Sequence, residues 1–153
     1  MTETAREGEA ADGAAGRDET AGRDRAVLRA ALERLRGLCL ALPGAEERPS
    51  HGEAAWFAGR PMFAMTSDRH HDDRTAFWAG GAAGVQEHLV AADPDRYFRP
   101  PYVGGRGWIG VYLDVEVDWR QVEDLVLDAF LLVAPARLRA EARQGTTGAG
   151  PTG

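Results

Sequence analysis

The chain has 153 residues, with 18 Arg and no Lys, 24 acidic residues and a formal net charge of −6. This length favours one domain, and the charge excludes a small, strongly basic nucleic-acid binder while leaving room for a local basic patch. The longest apolar run is far shorter than the roughly 20 residues that span a bilayer, so no membrane partner is expected. The lone Cys39 and the absence of a signal-peptide pattern favour a cytoplasmic location.

Two terminal segments, 1–23 and 144–153, are rich in Ala, Gly and polar residues and contain no Val, Leu, Ile, Phe, Tyr or Trp. Such segments cannot bury enough apolar surface to offset the entropy that ordering them costs. Both are therefore predicted to be disordered tails, which leaves a single domain over residues 24–143.

Three helices are predicted from apolar residues at helical spacing. The first covers 24–41 and ends before Pro43, which has no N–H to donate. The second covers 82–92. The third begins at Asp118, where Gln121 three residues later completes a capping box, and it ends before Pro135. Its buried stripe is expected to consist of Val122, Leu125, Val126, Ala129, Phe130 and Val133.

Four strands are predicted between these helices. Residues 53–57 and 62–66 flank a turn that contains Gly59, and residues 74–79 follow a polar loop. Residues 107–113 form the clearest strand, because apolar residues such as Ile109 and Val111 alternate along it. The order α-β-β-β-α-β-α predicts an α+β fold, with an antiparallel sheet that helices cover on one face and that is open on the other.

Several motifs occur in an order typical of one known family. The segment 38–47 resembles the Leu-Pro-Gly-x-x-Glu motif that closes the first helix of MmcQ/YjbR-like proteins, and the segment 60–64 resembles their Gly-Lys-x-Phe-Ala hairpin. Residues 100–102 and 107–111 resemble their late loop and Trp-bearing strand, and residues 129–136 resemble the end of their last helix.

The resemblance implies a frataxin-like (CyaY-like) α+β sandwich, also called a double-wing fold. It also implies DNA binding, the activity usually attributed to members of the family. The iron-binding acidic ridge of frataxins is not expected in this chain, because the first helix carries Arg25, Arg29, Arg34 and Arg36.

The segment 96–108, called here the basic-aromatic loop, is the strongest candidate for nucleic-acid contacts. It contains three Arg residues, several aromatic residues and no acidic residue. Guanidinium groups neutralise phosphates, and exposed rings stack on bases. Alternatively, the rings pack inward and the Arg side chains are solvated. The expected phosphate contacts are Arg60, Arg96, Arg99 and Arg106, and the expected stacking or wedging residues are Tyr102 and Trp108.

Another polar segment, 69–74, places His70 and His71 beside two Asp residues, and with His51 and Glu53 it offers ligands for zinc or iron. Adjacent His side chains in an extended loop point to opposite sides, so a solvated loop is favoured. No metal and no cofactor are expected. Cys39 is interpreted as a packed thiol, and no Gly-x-Ser-x-Gly signature is present.

These patterns predict a non-enzymatic DNA-binding protein that uses the basic-aromatic loop and the open sheet face. The alternative is an interaction module with no nucleic-acid role, which binds a small ligand, another protein or a second copy of the chain. For a protein partner, Trp108 and Tyr112 would form the contact surface, because they lie on the strand face opposite the core stripe.

Overall fold

The computed structural model describes residues 24–69 and 72–149. They form one antiparallel sheet of six strands in the order β1-β2-β3-β4-β6-β5. The strands are β1 (Ala45–Ser50), β2 (Glu53–Ala58), β3 (Met62–Asp68), β4 (Thr75–Ala79), β5 (Tyr97–Phe98) and β6 (Ile109–Tyr112). The helices are α1 (24–40), α2 (Val85–Ala92), α3 (Trp119–Val133) and α4 (Ala136–Ala149), and Gly104–Arg106 forms a 3-10 turn.

The main core lies between the helices and one face of the sheet, which confirms the predicted α+β architecture. Leu35 from α1 and Phe130 from α3 are fully buried there beside strand residues. The ring of Phe63 from β3 meets that of Phe130 edge to face, with 5.5 Å between the ring centroids. The predicted cap of α3 is also confirmed, because the Asp118 side chain accepts a hydrogen bond from the Gln121 N–H.

Strand β1 is an element that hydropathy patterning does not predict. Its sequence is Ala-Glu-Glu-Arg-Pro-Ser, and its four central residues are exposed, so apolar and polar residues do not alternate along it. It pairs with β2 along its whole length, at the edge of the sheet, where a residue such as Pro49 is tolerated. The two-residue strand β5 is too short to show a pattern.

Helix α4 is an element that is not predicted from the sequence. The third predicted helix ends at Val133, before Pro135 as expected, but a further helix follows and extends over residues 144–149, which fall within the predicted tail. The carbonyl of Pro135 accepts the first hydrogen bond of α4, from the Arg139 N–H at 3.0 Å, so this proline starts a helix rather than only stopping one. Leu138 and Ala142 anchor the helix in the core, and it continues to Ala149. The predicted tail 1–23 and residues 150–153 lie outside the described residues. Across the described ranges, no helix has the length and hydropathy that crossing a membrane requires.

The second face of the sheet carries a smaller apolar cluster. Directly paired residues form a row across five strands, from Ala55 through Met65, Trp78 and Gly110 to Phe98. Met65 is only 8% exposed and Trp78 only 4%. Trp108 and Val103 of the basic-aromatic loop pack in the same cluster. The expectation of an open second face is therefore wrong for its centre, because the loop lies over it.

A β-bulge in β3 determines which side chains reach this second face. Trp56 pairs with Ala64 and the next residue of β2 pairs with Met62, so Phe63 is an extra residue in β3. Phe63 and Ala64 both belong to the helix-side core, whereas Met62 and Met65 both belong to the second cluster. Residues three positions apart in a regular strand point to opposite faces, so the bulge is what places two thioethers on one face.

Candidate ligand-binding site

The basic-aromatic loop is held over the second sheet face by its own backbone turns. The Val103 N–H donates to the Pro101 carbonyl, 2.6 Å away, which closes a three-residue turn around Tyr102. The 3-10 turn follows, and Gly107, with a φ of +87°, ends it before the chain enters β6.

A buried side chain from α2 fixes the end of this loop. The amide nitrogen Nε2 of Gln86 donates to the carbonyls of Gly104, at 2.8 Å, and Trp108, at 2.5 Å. Gln86 itself is 3% exposed. Both donors of one amide group are used, so a single side chain ties the loop to the helix layer.

A groove of about 480 Å³ lies between the loop and the β1–β2 turn, and we call it the hairpin–loop groove. Its volume is in the range of small-molecule sites, which are mostly apolar and contain a few polar groups. Its apolar lining consists of Met62, Met65, Trp78, Tyr102 and Val103, and its polar lining consists of Ser50, His51, Glu53, Thr66 and Ser67.

Glu53 is the one carboxylate among the described residues that line the groove, and two hydrogen bonds hold it in place. Its Oε2 accepts from the Thr66 hydroxyl at 2.6 Å, and its Oε1 accepts from the Asp68 N–H at 3.0 Å. Glu53 is 9% exposed. An ionised carboxyl group offers about four acceptor positions, so these two bonds leave capacity for a ligand.

Three residues at or next to the rim of the groove have a positive φ. His51, at +51°, and Gly52, at +81°, form the two-residue turn between β1 and β2, and this geometry is typical of hairpins. Tyr102 has a φ of +64°, which strains the backbone of a bulky residue. Its side chain is 84% exposed. Strained residues of this kind cluster at binding and active sites.

Two of the residues predicted to contact nucleic acid are engaged within the protein instead. Arg96 donates to the Asp93 carboxylate and to the Glu116 carbonyl, each at 2.8 Å. Trp108 is 6% exposed and packs in the second apolar cluster. The inward-packing alternative describes this ring, and a base cannot stack on it while the loop keeps this arrangement.

The other four predicted contact residues, Arg60, Arg99, Tyr102 and Arg106, are exposed. The aliphatic stem of Arg99 lies on Gly104, where an added Cβ would come within 2.6 Å of the Arg99 Cγ. The bare backbone of Gly104 thus makes room for the loop's own side chain. The Arg106 guanidinium lies 5.8 Å from the centroid of the Trp108 ring.

The surface expected to bind a partner through Trp108 and Tyr112 is covered by the chain itself. Tyr112 stacks on Phe98 with a centroid distance of 4.4 Å, and the Arg74 guanidinium lies 3.6 Å from the Tyr112 ring centroid. Arg74 also makes two hydrogen bonds of 2.7 Å to the Asp114 carboxylate. This arrangement corrects the expectation of an exposed Trp/Tyr strand face.

The candidate metal ligands are only partly brought together. His51 and Glu53 both line the groove, whereas His70 and His71 lie outside the described residues. Within the part of the chain that is described, no three His, Cys, Asp or Glu side chains are grouped as metal ligands would be. Cys39 is fully buried, and burial, reinforced by the charge of Glu47, raises the pKa of its thiol, as expected for a packed cysteine.

Two features of the site are absent from the predictions made from the sequence. Gln86 occupies a helix position where a polar residue signals exposure, and nothing local shows that it is buried. Met62 and Met65 reach one face only because of the bulge. The one available signal for the site was the interruption of the loop by Gly104 and Gly105, which indicates tight turns without saying what they enclose.

Comparisons with known proteins agree with this fold. The model of the YjbR family matches residues 40–132, which is more than half of the chain. An uncharacterized protein of Mycobacterium tuberculosis, Rv2570, is 29% identical to this chain over 111 residues. The match covers 63% of this chain and 83% of that protein. The uncharacterized protein Mb2600 of Mycobacterium bovis has the same identity and coverage. The crystal structure of the Deinococcus radiodurans protein DR2400, which contains the domain DUF419, superposes with a TM-score of 0.59 at 20% identity, covering 76% of this chain and 87% of that one. The chain belongs to the YjbR family.

Proposed function

We propose that this protein is a non-enzymatic binding protein that recognises a small ligand in the hairpin–loop groove. The observation that carries the proposal is the groove itself, in which a strained, exposed Tyr102 stands over an apolar floor that includes Met65 and Trp78. Binding requires no activated nucleophile. In the groove the Thr66 hydroxyl donates to Glu53, and the Cys39 thiol lies in the helix-side core, on the other face of the sheet.

The lining combines apolar and polar residues in the way that small-molecule binding sites do. The apolar residues offer surface for non-directional contacts with a ligand. The polar residues near the β1–β2 turn offer hydrogen bonds that would orient it. Gln86 and the backbone turns fix the loop that forms one wall, so little ordering is needed when a ligand enters.

The experiment is a nuclear magnetic resonance titration with a set of small aromatic compounds of different charge. Compounds that bind should shift the amide signals of His51, Tyr102 and Val103 more than those of α3 and α4. Met62→Trp, which places a bulky indole ring in the groove, should weaken this binding about tenfold. Met62→Leu, in which the side chain has a similar volume, should preserve it. Shifts that map to another surface, or a Met62→Trp variant that binds normally, would contradict the proposal.

DNA binding is a second candidate, which exposed Arg residues at one end of the sheet favour. Arg106 and Pro61 line one hollow at this end, and Arg60 precedes Pro61 in the same turn. With Arg99, these residues offer three guanidinium groups, while Arg96 is held by Asp93. Three phosphate contacts would give a salt slope of only about −3, which is a weak interaction compared with tight DNA binders.

A salt titration of binding to duplex DNA tests this second candidate. Replacing Arg99 and Arg106 together by Ala should lower the slope of log K against log salt by about two, because each lost phosphate contact removes about 0.9 released ions. Arg120→Ala, an exposed position on α3, serves as the control and should leave the slope unchanged. Absence of binding at low salt, or a slope that the double variant does not alter, rules out this use of the loop.

A further inference from the structure

We propose that the ligand of the hairpin–loop groove is a small organic cation with an apolar body, such as a protonated or methylated aromatic amine. This inference rests on the proposed function, since it names the chemical class that the same groove selects. It follows from three properties of the lining: its charge, its aromatic and thioether surface, and the fixed position of its carboxylate.

The charge of the lining is negative. Glu53 is the one carboxylate among the described lining residues, and these residues include no Arg. Arg69, which directly follows β3, lines a different cavity together with Asp73 and Asp114. The loop residue Arg106 lines a neighbouring hollow, which shares Met62 with the groove, and the exposed Arg60 lines neither of the two. The described lining residues therefore present a carboxylate and no guanidinium to a cation. Arg48 is on the same sheet face, but its guanidinium lies over the Phe57 ring and donates to the Gly59 carbonyl.

The apolar surface suits a cation better than it suits an anion. Tyr102, a residue that is 84% exposed, lines the groove, and so does Trp78. The negative face of an aromatic ring attracts ammonium groups, most strongly where water is excluded. Met62 and Met65 add thioether sulfurs, which are polarizable and adapt to ligand shape.

Glu53 is positioned before any ligand arrives. Its bonds to the Thr66 hydroxyl and the Asp68 N–H hold both carboxylate oxygens, so the group does not have to be ordered on binding. Both partners are hydrogen-bond donors, so the remaining acceptor positions of the two oxygens are available to a cationic donor. The partner of opposite charge that would normally neutralise a 9% exposed carboxylate is supplied by the ligand.

Three soluble probes of nearly equal shape test the inference: benzylamine, which is a cation at pH 7, benzyl alcohol, which is neutral, and benzoate, which is an anion. The readout is the shift of the Tyr102 and Val103 amide signals and of the Trp78 indole signal, which report on the groove directly. Benzylamine should bind at least about fivefold more tightly than benzyl alcohol, and benzoate should not shift these signals.

Two substitutions on different walls of the groove localise the effect. Glu53→Gln keeps the shape and should remove the preference for benzylamine over benzyl alcohol. Because Glu53 is buried, this change carries a risk of unfolding, so Tyr102→Leu provides an independent test at an exposed position. It should weaken benzylamine binding about threefold more than benzyl alcohol binding, whereas Tyr102→Phe should keep the parent protein's ratio of the two affinities.

The outcomes separate the two proposals. If benzyl alcohol and benzoate shift the groove signals as strongly as benzylamine, the preference for cations is wrong and the groove remains a ligand site. If none of the three probes shifts these signals at concentrations up to about 10 mM, a range in which fragments of this size bind real pockets, both proposals fail. A preference for benzylamine that survives both Glu53→Gln and Tyr102→Leu would also overturn the assignment to these residues.

Discussion

At the scale of single residues, Tyr102 combines a left-handed backbone conformation, which is unfavourable for a bulky residue, with high exposure to solvent. The left-handed region costs residues with a Cβ roughly 1–2 kcal/mol and costs glycine almost nothing. We therefore expect Tyr102→Gly to be more stable than Tyr102→Ala by about 1 kcal/mol, since both variants lose the ring and only Gly relieves the strain. Urea unfolding measures the difference, and equal stabilities would show that the backbone at this residue is not strained.

Tyr102 and Trp108 together show how far the exposure of loop residues can be predicted from the sequence. Tyr102 stood out because it lies in a loop rich in Arg and aromatic residues, and it is exposed as expected. Trp108 carried the same signal and is buried. The two rings differ only in the strand register and the turns around them, and composition contains no information about either. Arg96 was similarly indistinguishable from Arg99 until its bond to Asp93 was known.

At the scale of elements, the connection between α2 and the basic-aromatic loop depends on the Gln86 side chain. Gln86→Leu would leave the carbonyls of Gly104 and Trp108 without this donor, which should cost about 1–3 kcal/mol of unfolding free energy. It should also raise the rate of amide hydrogen exchange at Gly107, whose N–H donates to Gly104. Glu87→Leu, at the neighbouring exposed position, should change stability by less than about 0.5 kcal/mol. If both variants behave alike, the loop does not depend on this side chain.

Helix α3 gives a second prediction at this scale. Phe130 is fully buried against Phe63, so Phe130→Ala should destabilise the protein by about 3–5 kcal/mol through lost burial and a cavity. Leu132, two residues later, is 49% exposed, and Leu132→Ala should cost less than about 1 kcal/mol. Thermal unfolding of the pair measures the contrast, and a small effect at Phe130 would place α3 on the surface.

The helices and strands also differ in how well they can be predicted from their sequences. Helix α3 was predictable because its apolar residues recur at helical spacing and Asp118 marks its start. Strand β1 was not, because an exposed edge strand needs only backbone pairing with β2 and no apolar side chains. Helix α4 was hidden by Pro135, which is compatible with the end of one helix and with the start of another.

For the whole molecule, the ion pair between Arg74 and Asp114 links the start of β4 to the segment after β6 and couples stability to pH. Partial burial works to raise the pKa of Asp114, but the hydrogen bonds from Arg74 and the Thr75 N–H outweigh it, and the pKa lies below its ordinary value. A lowered carboxyl pKa in the folded state adds stability above the ordinary carboxyl range, and this stability is lost as the pH falls through the folded-state pKa.

We therefore expect Asp114→Asn to lower the unfolding free energy at pH 7 by about 1 kcal/mol, a value discounted for the 40% exposure of the Arg74 side chain. The difference from the parent protein should begin to shrink below about pH 4, the ordinary carboxyl pKa, and should disappear once the pH has fallen through the lower pKa of the folded state. Urea unfolding between neutral and acidic pH gives both curves, and Asp95→Asn, at an exposed position, is the control. A difference that stays constant with pH would mean that the charge of Asp114 plays no part.

The bulge at Phe63 affects where the protein is sensitive to oxidation. By placing Met62 and Met65 on one face, it puts two oxidisable thioethers among the apolar lining residues of the hairpin–loop groove. Oxidation converts a thioether into a polar, chiral sulfoxide, and Met62 is the more accessible of the two. Peroxide would therefore alter the groove while leaving the helix-side core, which holds Phe63 and Ala64, intact. Repair by a sulfoxide reductase would restore the groove without refolding the chain.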